Sequence, residues 1–144
     1  MLEIVDEDNL MQSSLDASFL ESIINEFGDF GVELVFVDSI QSRQLNKEFL
    51  HRDYATDVLS FPFSQMGLES KFIGSIVINI DLAKKVSLEL NHSINEEIAL
   101  LFIHGFLHLM GYDHEIDSGE QRSLESKLIN KFNLPKSLII RNED

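Results

Sequence analysis

Between Ile98 and Met110 the chain offers no polar face. The run IALLFIHGFLHLM, residues 98–110, is apolar on every side of a helical projection. A helix that is apolar all round is a buried one. Ser93 and Glu96 form an S-x-x-E capping box that starts it. Gly111 is a typical residue just past a helix end. The remaining elements must therefore be read as a shell around this helix.

Four segments read as strands: Leu2–Val5, Val32–Val37 (VELVFV), Val58–Phe61 stopped by Pro62, and Phe72–Ile78 (FIGSIVI). Leu15, Phe19, Ile23 and Phe27 recur every four residues and mark a helix that Phe30-Gly31 breaks. Asp38 with Gln41 resembles a capping box for a helix through about Leu50. Leu82, Val86 and Leu90 give another stripe. Asp117 with Glu120 starts a last helix along Leu124, Leu128 and Phe132, stopped at Leu134-Pro135. Strands and helices alternate early and helices dominate late. The expected fold is α+β: a small mixed four-stranded sheet packed with about five helices, one central and buried. With no repeat and no Pro/Gly-rich linker in 144 residues, one domain over 1–144 is expected.

The absence of cysteine excludes disulfides, thiolate metal sites and cysteine nucleophiles. The net charge of −14 argues against nucleic acid, which is bound through Lys and Arg. Its distribution softens that argument. Residues 1–39 hold ten Asp or Glu and no Lys or Arg, whereas residues 40–95 hold six of each sign. An anionic ligand would meet the middle of the chain, with Arg43, Lys47, Arg52, Lys71, Lys84 and Lys85. No segment reaches the roughly 18 apolar residues of a membrane helix. The start, MLEIVDEDNL, does not read as a signal peptide. The expectation is a soluble cytoplasmic protein with no membrane partner.

Three of the five histidines, His104, His108 and His114, fall in IHGFLHLMGYDHE. His104 and His108 are i and i+4, one turn apart on one helix face. Gly111 allows a sharp turn that brings His114 back to them. Three imidazoles suit zinc, one per chain, with a fourth position open for water, which is how catalytic zinc sites are built. Water bound there can titrate near pH 7. Nickel, cobalt or iron also suit imidazole. Two imidazoles buried on an apolar helix without partners would cost several kcal/mol, and the nearby sequence offers few partners other than a metal. His51 and His92 read as surface residues. The spacing resembles the zinc-peptidase motif H-E-x-x-H-x-x-G-x-x-H, but Gly105 stands where those enzymes place their general base. Mid-helix glycine costs about 1 kcal/mol against alanine, so close approach by another backbone, by substrate or by the sheet is expected there.

The run His104-Gly105-Phe106-Leu107-His108-Leu109-Met110-Gly111-Tyr112-Asp113-His114 resembles the H-G-x-L-H-L-x-G-Y-D-H signature of the YbeY family of bacterial rRNA-maturation endoribonucleases. Thr56-Asp57-Val58-Leu59-Ser60-Phe61-Pro62 matches that family's T-D-V-L-S-F-P segment. Gly74–Ile78 resembles its G-[DS]-[IV] strand, Glu96-Glu97 the acidic pair opening the zinc helix, and the element order fits along essentially the whole chain. The resemblance implies a metal-dependent RNase acting on single-stranded RNA, in 16S rRNA 3′-end processing and ribosome quality control. It implies zinc on His104, His108 and His114, and a cleft lined by Thr56, Asp57 and Ser60. The implied partners are rRNA and the small ribosomal subunit, with ribosomal or assembly proteins besides.

One departure stands out. The family usually places an arginine six residues before the threonine of its T-D-V-L-S-F-P segment, and here that position is Leu50. Arg52 is the candidate to take over part of its phosphate-binding role, with Arg43 and Lys47 on the preceding helix. Asp57 and Asp113 are candidate general bases; alternatively Asp113 orients a ligating histidine and Asp57 caps a turn. Two other readings stay open: a non-catalytic ribosome-assembly factor with a structural metal, and a metal hydrolase of a non-RNA substrate.

Overall fold

The computed structural model describes residues 1–11, 14–63, 71–136 and 139. In chain order its elements are β1 (Leu2–Val5), α1 (Ala17–Asn25), β2 (Gly31–Val37), α2 (Ser39–Leu50), β3 (Val58–Pro62), β4 (Phe72–Asn79), α3 (Ile80–Leu90), α4 (Ile94–Leu109) and α5 (Glu120–Phe132). The sheet order is β1-β2-β4-β3. β1 runs parallel to β2 and β2 parallel to β4, while β3 is antiparallel to β4, with Val58 opposite Ile78. The fold is the expected α+β arrangement, a mixed four-stranded sheet with five helices.

The all-apolar helix α4 is the centre of the molecule. It packs on β3 and β4 and against α1, α3 and α5. Ile98, Leu101, Phe102, Phe106 and Leu107 are fully buried. Its capping box forms as read: Ser93 Oγ accepts from Glu96 N at 3.0 Å, and Glu96 Oε1 accepts from Ser93 N at 2.9 Å. The box of α2 forms likewise, with Asp38 and Gln41 reciprocating at 2.8 and 3.1 Å. Gly105 is where α4 meets the sheet. A Cβ there would lie 3.0 Å from Ile76 Cγ2 and 3.4 Å from Val58 Cγ2. The glycine thus offsets its propensity cost by letting helix and sheet approach closely.

Several boundaries differ from the sequence reading. α1 is shorter than its stripe: Leu15 and Phe27 lie outside it yet still pack on the core. Gly31 does not break a helix but opens β2, and Pro62 ends β3 from within, opposite Gly74. α5 begins three residues after Asp117, with Gly119 at its N-cap. Asp117 still serves the helix start, because its carboxylate accepts from Gly119 N at 2.8 Å and Gln121 N at 3.1 Å. His92 is not a surface residue. Its side chain is mostly buried, and its Nε2 lies 2.7 Å from Oε1 of the buried Glu97.

Candidate metal centre and cleft

α4 presents His104 and His108 on one face, as their i, i+4 spacing requires. Their Nε2 atoms lie 3.2 Å apart and their ring centroids 4.8 Å apart. The chain then reverses. Gly111, at φ +98°, adopts a conformation that strains other residues, and Tyr112 N closes the turn on Leu107 O at 3.0 Å. The reversal returns His114 to the same point, its ring centroid 5.2 Å from that of His104 and 6.0 Å from that of His108. Ligand nitrogens of all three lie within 4.8 Å of one another.

This geometry fits a metal ion. Two nitrogens on a tetrahedral zinc, each at about 2.0–2.1 Å, stand about 3.3–3.4 Å apart, close to the 3.2 Å between His104 and His108. Nδ1 of His114 is buried and has no hydrogen-bond partner among the described residues. Burial first, and then the neighbouring imidazoles of His104 and His114, push the His108 imidazole below its ordinary value; Asp113 and Glu125 oppose this. The shift favours the neutral ring, the form that ligates.

Residues that the sequence reading did not single out hold the centre in place. Glu125 Oε2 lies 2.9 Å from His104 Nδ1. A carboxylate there accepts the Nδ1 proton and leaves the Nε2 lone pair facing the site, the usual arrangement behind a ligating histidine. Gln121 ties three pieces together: its Nε2 donates to Glu125 Oε2 at 3.1 Å and to His104 O at 3.3 Å, and its Oε1 accepts from His114 N at 2.8 Å. Both side chains are buried, Gln121 at 0% and Glu125 at 1% exposure. Their signal was present, since Gln121, Glu125 and Leu128 follow the i, i+4, i+7 spacing of one buried face of α5. Asp113 does not bond a histidine ring; its Oδ1 accepts from Glu115 N at 3.0 Å and shapes the loop. His104 therefore has a protein partner at Nδ1, and it comes from α5, 21 residues away, rather than from the nearby sequence.

A cleft of about 500 Å³ opens over the histidines. Arg52, Thr56, Asp57 and Ser60 all line it together with His104, His108 and His114, and Leu50 sits on its wall. Asp57 is engaged locally, its Oδ1 accepting from Val58 N at 2.8 Å and Thr56 Oγ1 at 3.4 Å. Arg43 pairs with Asp53 at 2.8 Å and is not among the cleft-lining residues. Arg52 is the one Lys or Arg lining the cleft among the described residues.

The fold and site together define an α+β protein with a three-histidine, metal-type centre in an open cleft. The family model described as Endoribonuclease YbeY matches residues 4–133, and the chain belongs to this family of endoribonucleases. It is 49% identical over 142 residues to an endoribonuclease YbeY of Nautilia profundicola, covering 98% of this chain and 100% of the relative. It is 54% identical over 132 residues to that of Campylobacter jejuni strain 81-176, covering 92% and 98%. It is 51% identical to that of Helicobacter pylori over the full length of both. Among solved structures, the solution structure of TM1509 from Thermotoga maritima matches with a TM-score of 0.57 at 26% identity, covering 92% of each chain.

Proposed function

We propose that the chain, acting as a single domain over 1–144, is a zinc-dependent endoribonuclease. It hydrolyses phosphodiester bonds of single-stranded RNA during 16S rRNA 3′-end maturation and ribosome quality control. The observation that carries this reading is the convergence of His104, His108 and His114 within 4.8 Å, in the same cleft as Arg52. The partners that fit are rRNA, the small ribosomal subunit and its proteins, and the compartment is the cytoplasm. Among the described residues no helix is long and apolar enough to cross a membrane.

The three imidazoles hold the ion, one per chain. Bound there, zinc supplies Lewis-acid stabilisation of phosphoryl charge and lowers the pKa of water. Glu125 and Gln121 fix the ligand rings, and Glu125 keeps the His104 proton on Nδ1. Arg52 binds and orients a phosphate, offsetting charge that develops in the transition state. Thr56, Asp57 and Ser60 form the wall on which the strand lies.

Elemental analysis of the purified protein alongside His108→Ala, with cleavage of a single-stranded rRNA fragment, tests the reading. It predicts about one metal per chain, lost with the cleavage in a variant that still folds. A metal-replete protein that cleaves neither naked RNA nor immature small subunits would overturn it. The substitution of Leu50 at the arginine position gives weight to one other reading, an assembly factor with a structural metal. Then His114→Ala would lower the melting temperature without any turnover to lose.

A further inference from the structure

The cleft is poor in the charge that usually holds RNA. Against Arg52 stand Asp57, Asp113 and Glu115, all lining it. Apart from an ion on the histidines, the side chains of the cleft attract a polyanion only weakly, and a source of affinity independent of charge would add to binding. Tyr54 lines the same cleft and is 54% exposed, and Leu50, also lining it, is 45% exposed. A solitary exposed aromatic would mean little. This one sits on a backbone that buried polar side chains hold in place. Asn46, 1% exposed, donates from Nδ2 to Tyr54 O at 2.9 Å. Ser42, also 1% exposed, donates to Thr56 O at 2.9 Å and accepts from Thr56 N at 3.1 Å. Asn79 adds a bond to Thr56 O at 3.2 Å. On the other side Arg52 N donates to Asn46 O at 3.2 Å, so the loop is fixed before and after Tyr54 while the residue stays exposed, and a ligand meets a platform whose backbone is already ordered.

Resting on the RNA reading above, we propose that Tyr54 is a nucleobase-binding residue: a base of the RNA strand stacks on its ring while Arg52 takes a neighbouring phosphate. Stacking tolerates any base, because every base has a π-face. It also requires an unstacked base, which a duplex does not offer, so the same ring selects single strands. Leu50 extends the apolar surface on the cleft wall.

The test is stopped-flow binding, read before turnover, of a short single-stranded oligoribonucleotide carrying one 2-aminopurine, whose fluorescence is quenched by stacking. Wild type, Tyr54→Phe and Tyr54→Ala are compared, each checked for metal content and melting temperature. Wild type and Tyr54→Phe should bind with quenching. Tyr54→Ala should lose the quench at the contacted position and bind roughly five- to hundredfold more weakly, with metal content unchanged. Equal binding and quenching by Tyr54→Ala and wild type would overturn the stacking role and leave the RNA reading standing. Failure of wild type itself to bind the oligonucleotide would overturn both.

Discussion

Glu125 on α5 reaches His104 on α4, with Oε2 2.9 Å from Nδ1, across 21 residues of sequence and inside the core. The contact converts a helix-packing interface into part of the metal-type centre. Gln121, one turn earlier, shares Glu125 Oε2 and also holds the His114 backbone. Two histidines on one helix and a third on a loop are thus brought to one geometry by two adjacent turns of another helix.

Removing that carboxylate should weaken metal binding before it weakens the fold. Glu125→Ala leaves the His104 Nδ1 proton buried without an acceptor. Metal affinity, measured by competition with a chelating dye, should fall about 10- to 100-fold. Glu125→Gln keeps an oxygen acceptor and should fall less. Equal affinity in wild type and Glu125→Ala would deny the contact any role.

Gln121→Leu keeps the volume and deletes the three hydrogen bonds that Gln121 makes with His114, His104 and Glu125. It strands a buried acceptor and donor, at a cost of about 1–3 kcal/mol of stability. Melting of the metal-free variant should show this loss. The stabilisation that added zinc gives should also shrink, because the His114 loop is no longer tied down.

The histidines were legible because 104, 108 and 114 lie close in sequence, where helical spacing and a turn glycine decide geometry. Their support was not. On an amphipathic helix polar residues are read as outward, and Gln121 and Glu125 point inward because Leu128 shares their face. His92 was misread for a related reason. The capping turn folds it back over Glu97, a contact that no periodicity reports. The order of elements, the central helix and its capping boxes followed from local pattern alone. The shift of α5 to Glu120 did not, since Asp117 caps from outside the helix.

Gly105 offers a test of packing. Alanine there gains about 1 kcal/mol of helix propensity but brings a Cβ to 3.0 Å from Cγ2 of the fully buried Ile76. These effects nearly cancel, and denaturant unfolding should place Gly105→Ala within about 1 kcal/mol of wild type. Gly105→Val adds two methyls against the same wall and should lose about 2 kcal/mol or more.

The metal-free protein should lose stability on mild acidification. Burial lowers the His108 pKa in the folded chain below the ordinary 6.5. The unfolded chain therefore takes up this proton first as pH falls, and unfolding is favoured by mass action. The contribution is fully present above about pH 6.5 and is lost as pH falls through that value toward the folded pKa. Thermal melts from about pH 7.5 to 5.5 should show the decline, and His108→Gln should flatten it. An equal slope in the variant would place the proton elsewhere.

Arg52 and position 50 decide how many basic side chains stand against the three acidic residues of the cleft. Arg52→Ala removes the one Lys or Arg lining it among the described residues and should lower both RNA affinity and cleavage; unchanged values would end its role as phosphate ligand. Leu50→Arg makes the opposite change, placing a second cation where the family's arginine usually stands. Each phosphate neutralised on a single strand adds about 0.7 to the slope of log affinity against log salt. Wild type, with one basic side chain lining the cleft among the described residues, should show a shallow slope. Leu50→Arg should bind tighter at low salt and steepen the slope by about that amount, and Arg52→Ala should flatten it by the same. A steep slope in wild type that neither change alters would mean that cations outside the cleft carry the strand.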